Sequence, residues 1–321
     1  MKFKSILTLF LSVFSLYASA QDNLSKASPI KRVLYITLDG IRWQDVLNQK
    51  QNMPIFWNKY ASEAKIYGGL QQTEHTMEVA STPISLPSYQ SQMSGKVTDC
   101  QNNDCGPVQI ETFPEYLVNS LHFHPADVVT ISCWDKMANG VEMNKGTITS
   151  SSGIEPMRDP YTSLPDITMQ IINKLQSINY DRPDERLDKY SYAHALHYLK
   201  KYKPKFMYLS LGEADDFAHA GNRPAYLKMI GYYDKLLDAL FSTLKELSIY
   251  DETLIIVSTD HGRGSGDEWT EHGDQYLGSK QTWAFVLNGE LVPASVENGV
   301  NHYSTLSIRP TVEKVFNTKN G

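Results

Sequence analysis

The chain has 321 residues, 41% of them hydrophobic, three cysteines and a formal net charge of −6 at pH 7. That length accommodates one large α/β domain or two smaller ones. With no basic cluster beyond the N-terminal segment, the charge pattern excludes a nucleic-acid scaffold role.

Lys2 and Lys4 precede an apolar stretch, residues 5–17, and Ala18-Ser19-Ala20 then supplies the small-residue pattern of a signal-peptidase site. The stretch is shorter than the roughly 20 residues that span a bilayer. Residues 1–20 therefore read as a signal peptide, with no stable membrane insertion. The mature chain, 21–321, is expected to be exported to the periplasm or secreted. No internal repeat or linker divides it, so a single domain is expected.

The first strand-like run, Arg32–Leu38, ends in Leu38-Asp39-Gly40. A helix is expected over 54–64. In the segment 81–95, Pro87 suits the first turn of a helix and Gly95 its end. Ser85 then stands at or just before the positive helix N-terminus, where backbone N–H groups can bind an anion. A serine there also reads as an ordinary helix cap. His75 precedes this segment and could approach it.

Cys100 and Cys105 flank a short polar loop and are expected to pair in an oxidising compartment. The stretch of about 98–178 is richer in Gly, Ser, Asn and Pro, and reads as an insertion capping the sheet edge. Within it a helix is expected at 114–120, His122 and His124 fall in a loop, and Cys133 ends an apolar run as an inert buried thiol. Further helices are expected at 164–178 and 185–201, where His194 and His197 share a face with tyrosines and read as packing residues.

The run Phe206–Leu211 leads into Glu213–His219. Asp215 and His219, four apart, share one face of a helical turn and can grip one metal ion; Asp216, three before His219, competes for that role. After a helix at 225–247, the run 254–258 leads to Thr259-Asp260-His261-Gly262, and His272-Gly273 follows a loop holding Arg263 and Glu268. A last helix is expected at 310–316. This alternation predicts an α/β fold, a mostly parallel central sheet flanked by helices on both faces, with ligands gathered beyond the carboxyl ends of its strands.

Together these segments resemble the alkaline phosphatase superfamily, and within it the nucleotide pyrophosphatase/phosphodiesterase-like branch. Leu38-Asp39-Gly40 resembles its first metal motif, and Ser85-Leu-Pro to Ser94-Gly95 its T-x-P-x-x-x-S-x-x-T-G nucleophile segment with Ser for Thr. Asp215 to His219 resembles its D-x-x-x-H, Asp260-His261-Gly262 its D-H-G, and His272-Gly273 its closing H-G. The resemblance implies two divalent metal ions. One would be held by Asp39, Asp260, His261 and the Ser85 oxygen, the other by Asp215, His219 and His272. Zinc is expected and manganese is the alternative.

It further implies hydrolysis of a small phosphorylated substrate, a phosphodiester or a phosphomonoester, through a phosphoseryl intermediate on Ser85. Two departures bear on substrate. Tyr89 stands where sulfatases carry Arg, which argues against a formylglycine sulfatase, and Ser88 stands where the phosphodiesterase branch is expected to place an Asn that binds a non-bridging oxygen. A monoesterase needs added positive charge, for which Arg42, Lys136 and Arg263 are candidates. Phosphotransfer between metabolites, and a non-catalytic module capturing phosphate-bearing ligands, are the competing readings.

Overall fold

Short apolar runs bounded by Gly, Asn and Asp become strands here, and longer runs with apolar residues every three or four positions become helices. The computed structural model describes residues 29–69, 75–162, 164–178 and 184–317; the expected leader at 1–20 lies outside them. The first half of the chain forms β1 (Arg32–Leu38), α1 (Pro54–Lys59), β2 (Lys65–Gly68), β3 (Met77–Glu78), α2 (Ser85–Ser94), α3 (Phe113–Asn119), β4 (Val128–Ser132), α4 (Ala138–Val141) and β5 (Thr149–Ser152). There follow α5 (Ile167–Gln176), α6 (Asp188–Tyr202), β6 (Phe206–Leu211), α7 (Glu213–His219) and α8 (Arg223–Glu246). The chain closes with β7 (Thr253–Ser258), β8 (Trp283–Leu287), β9 (Ser295–Glu297), β10 (Val300–Ser304) and α9 (Ile308–Asn317).

Seven strands form the main sheet in the order β2-β8-β7-β1-β6-β4-β5, and β3, β10 and β9 form a small second one. From β7 to β5 every pairing is parallel, while β8 runs antiparallel to both its neighbours. The chain is thus an α/β protein with a mostly parallel sheet, in one domain. Side chains alternate across it. Leu34, Ile36 and Leu38 of β1 join Tyr226, Ile230, Tyr233 and Leu237 of α8 on one face. Val33 and Tyr35 join Tyr89 and Met93 of α2, Phe113 of α3 and Ile308 of α9 on the other. Strands covered on both faces read as continuous apolar runs, and each buried Leu, Ile or Phe contributes about 1.5–3 kcal/mol.

Parallel register positions the site. Leu38 of β1 lies opposite Leu211 of β6, and Thr37 lies opposite Ser258 of β7. The chain therefore leaves all three strands side by side at one end, and the Asp39 N–H still bonds the Leu211 carbonyl at 2.9 Å.

The stretch 98–178 differs from the expected capping insertion. It contains β4 and β5, which pair into the main sheet and form one of its edges. Its Ser-rich strand Thr149–Ser152 carries too little apolar character to be read as part of the sheet. The helix expected at 185–201 begins at Asp188, because Glu185 bridges Trp134 and the Arg186 N–H bonds the Cys133 carbonyl at 2.7 Å. Cys100 and Cys105 form a disulfide with a Cα–Cα distance of 5.7 Å, and Cys133 is a free, buried thiol whose pKa burial pushes well up.

Candidate active site

A cavity of about 200 Å³ opens at the carboxyl ends of β1 and β6, lined among others by Asp39, Ser85, Tyr89, Asn103, Asp215 and His272. The helix α2 brings Ser85 there. Its N-cap, Ile84, has extended backbone and no side-chain cap, and Gly95 closes the helix in the left-handed region at φ 67°. Ser85 is buried in the first turn, its Oγ 3.3 Å from His261 Nε2.

His261 lies at the centre of the first ligand cluster. Its Nδ1 bonds the Gly262 carbonyl at 2.9 Å, so Nδ1 carries the proton and Nε2 presents a lone pair. Burial lowers the imidazole pKa to about 4, so the ring stays neutral at pH 7. Around Nε2 stand Asp260 Oδ2 at 3.3 Å and Asp39 Oδ1 at 3.6 Å. Both oxygens are buried with no hydrogen-bond partner. Their sister oxygens are held, Asp39 Oδ2 by the Tyr89 hydroxyl at 2.9 Å and Asp260 Oδ1 by the Gly40 N–H at 3.0 Å.

Burial and the neighbouring carboxylates Asp260 and Asp215 push Asp39 well above the usual range, and burial with Asp215 pushes Asp260 up to about 7. Lone pairs converging in this way repel one another unless a cation joins them, since an unpaired buried charge is costly. The donor set therefore fits a dication.

A second group of ligand atoms within 4.8 Å of one another joins Asp215 and His272 to the shared His261, as in Asp39, Asp260 and His261. His219 beside Asp215 and His272 completes a second cluster of Asp215, His219 and His272. His272 Nδ1 donates to the Pro83 carbonyl at 3.0 Å, which turns Nε2 toward His219 Nε2, 3.0 Å away. Burial and His261 lower the His272 pKa to about 3. Asp215 Oδ2 lies 3.2 Å from His219 Nε2, and Asp215 Oδ1 receives the Arg263 guanidinium. Burial opposes ionisation of Asp215, yet Arg263 beside it holds the carboxyl well below the ordinary range. Asp216 also lines the cavity, but it is Asp215 whose oxygen groups with His261 and His272, and this set too fits a metal.

The three cations weighed as phosphate contacts or surface charge each have a carboxylate partner. Arg42 is paired with buried Asp45 at 2.8 Å, Lys136 with Asp104 at 2.9 Å, and Arg263 is buried against Asp215. Among the described residues lining the cavity none is Lys or Arg. His75 stacks on Tyr67 and meets Tyr303 at a tilt, and His194 bonds Gln176 at 2.9 Å.

Ser88 donates to the Asp260 carbonyl at 2.6 Å, and so braces the D-H-G turn. The residue that sequence reasoning missed is Asn103. It lines the cavity from the disulfide loop, and its Oδ1 accepts the Leu86 N–H at 3.0 Å. Nothing in its spacing signals this, because the Cys100–Cys105 bridge folds it back over α2.

The fold is that of alkaline phosphatase-like proteins. Solved structures that resemble the chain include the phosphonate monoester hydrolase from Silicibacter pomeroyi (15% identity, 90% of this chain and 74% of that one, TM-score 0.55). A putative sulfatase from Bacteroides thetaiotaomicron also aligns (13%, 91% and 72%, TM-score 0.61), as does a mutant TAB5 alkaline phosphatase with Mg bound in its M3 site (14%, 92% and 100%, TM-score 0.53). No curated protein matches the sequence. Residues 37–319 match the model of the type I phosphodiesterase / nucleotide pyrophosphatase family, and the chain belongs to that family.

Proposed function

We propose that this protein is an exported, two-metal phosphodiesterase that works through a phosphoseryl intermediate on Ser85. The observation that carries this reading is the pair of buried, unpartnered oxygens, Asp39 Oδ1 and Asp260 Oδ2, beside the His261 lone pair and the Ser85 hydroxyl. Asp39, Asp260 and His261 would hold one divalent ion, and Asp215, His219 and His272 the other, with zinc favoured by the mixed nitrogen and oxygen donors. When bound, such ions supply Lewis-acid stabilisation of the oxygens around phosphorus and ease ionisation of the serine hydroxyl.

The chain's own residues do the rest. The N-terminal turn of α2 offers its positive end to the anionic substrate. With Oδ1 engaged by Leu86, the Asn103 amide nitrogen is the donor for a non-bridging oxygen. Ser85 Oγ attacks phosphorus, the P–O bond to the leaving alcohol breaks, and that alcohol takes a proton. Water then attacks the phosphoseryl phosphorus, the P–Oγ bond breaks, and the serine hydroxyl returns as a phosphomonoester departs. A cavity whose described lining holds no Lys or Arg gives no counter-charge for a monoester's extra anionic oxygen, which favours the diester. The Cys100–Cys105 bridge suits an oxidising compartment, and no described helix is long and apolar enough to cross a membrane.

The test compares hydrolysis of matched aryl phosphodiester and phosphomonoester substrates by the zinc-loaded chain, with Ser85→Ala as the blank. The diester is expected to turn over faster, with at least about a thousand-fold loss in the blank. Activity that survives Ser85→Ala would remove the serine mechanism, and a faster monoester would reverse the substrate assignment.

A further inference from the structure

The buried guanidinium of Arg263 touches all three segments that supply the second cluster and the turn behind the first. Nε donates to the Gly40 carbonyl at 3.0 Å, next to Asp39. Nη1 donates to the Thr270 carbonyl, two residues before His272. Nη2 donates to the Asp215 carbonyl oxygen at 3.3 Å and to the Asp215 carboxylate. The side chain has 1% exposure. Gly40 makes the arrangement possible, since a Cβ there, at φ +61°, would fall 2.0 Å from Asp215 Oδ1 and 3.0 Å from Arg263 Nη2.

The consequence is an electrostatic inequality. Asp39 and Asp260 bring two carboxylates to the first cluster with no Lys or Arg among the described residues touching either. In the second cluster Asp215 is the one carboxylate, and the fixed positive charge of Arg263 offsets it. An arginine in protein does not lose its proton, so the offset persists at every working pH. The two clusters also differ in exposure: Asp39, Asp260 and His261 are buried, whereas the His219 side chain is 42% exposed.

We infer that Arg263 is a positioning residue that orients Asp215 through Oδ1 while weakening the second cluster as a cation site, so that divalent metals load in two unequal steps. The tight step belongs to Asp39, Asp260 and His261. The weak, exchangeable step belongs to Asp215, His219 and His272. Arg263 holds the second ligand in place and keeps the second metal replaceable. The inference rests on the two-metal reading above and adds an order and a cause to it.

Calorimetric titration of zinc into the chelator-treated full chain tests it without reference to turnover. The native protein is expected to show two steps whose dissociation constants differ by about a hundred-fold or more. His219→Ala, at an exposed position, should abolish the weak step and leave the tight one. Arg263→Lys should keep the ratio, and Arg263→Gln should shrink it by about ten-fold or more, because the ratio follows the charge. Two equivalent zinc ions in the native protein, loss of the tight step in His219→Ala, or an unchanged ratio in folded Arg263→Gln would each overturn the inference. Absence of zinc binding would overturn the two-metal reading as well, whereas two unequal steps in a protein without diesterase turnover would overturn the proposed function alone.

Discussion

Each of the carboxylates Asp39, Asp260 and Asp215 has one oxygen tied to a named donor, Tyr89 on Asp39, Gly40 on Asp260 and Arg263 on Asp215. Outer partners of this kind fix which oxygen faces the metal and tune its basicity. Tyr89 is the one that can be removed with least disturbance. Its phenol stays protonated, since burial and the Asp260 and Asp39 charges push its pKa well up. Tyr89→Phe keeps the ring in the core and strips the single bond to Asp39. It is expected to weaken zinc binding at the first cluster by about 10–100-fold and to cost about 1–3 kcal/mol of stability in the metal-free chain. Competition with a chromophoric chelator and urea unfolding measure the two effects. Affinity equal to the native value would show that Asp39 needs no such support.

That tyrosine was legible in the sequence only as the absence of an arginine. What it bonds depends on α2 lying across the end of β1, and spacing along the chain carries no record of that crossing. Arg263 was misleading for the same reason. A cation in a loop between two ligand motifs reads as a phosphate contact or as surface charge, whereas burial turns it inward onto Asp215.

The seven-residue helix α7 carries Asp215 and His219, and its N-cap Gly212 offers no side chain to its first N–H groups. They are capped from another helix. Asp188, the first residue of α6, accepts from the N–H groups of Gly212 and Glu213 at 2.9 Å each and from the Tyr233 hydroxyl at 2.5 Å. Glu213 in return accepts the Asp188 N–H at 2.8 Å. This is the reciprocity of a capping box, made between two helices instead of within one. Asp188→Ala would leave three donors unsatisfied, the buried Tyr233 hydroxyl and two part-buried N–H groups, and is expected to cost about 2–3 kcal/mol, with zinc binding weakened at the second cluster more than at the first. Urea unfolding and zinc titration read the two effects. A loss below about 0.5 kcal/mol would show that water replaces the carboxylate without penalty.

The convergence of the short elements was more legible than their support. Apolar runs ending in Asp39, Glu213 to His219 and Asp260 read as parallel strands, and parallel strands in register must release their ligands at one end. Asp188 sits outside any such run, so its role emerges only from the packed structure.

Metal binding and folding are linked across the molecule through the protons that the ligand carboxyls and imidazoles hold in the metal-free chain. Burial and Asp215 raise Asp260 to about 7, so in the metal-free chain this carboxyl binds its proton more tightly folded than unfolded. Its contribution to stability is therefore full below about pH 4 and lost as pH rises through about 7. His261, lowered to about 4 by burial, acts with the opposite sign: its contribution is present above about pH 6.5 and lost as pH falls toward 4.

Between those limits the two offset one another. Above pH 6.5 the imidazole of this pair no longer changes, and the metal-free chain weakens as Asp260 ionises without a counter-charge. A divalent ion on Asp260 replaces that proton and removes the weakness. The rise in Tm on adding zinc is therefore expected to be larger at pH 8 than at pH 5.5, by about 2 °C or more for a chain of this size. Paired calorimetric scans with and without zinc at the two pH values measure it. An equal rise at both would mean that Asp260 holds no proton for the metal to displace, and the carboxylate of Asp260 and the neutral imidazole of His261 would then be metal-ready even at pH 5.5.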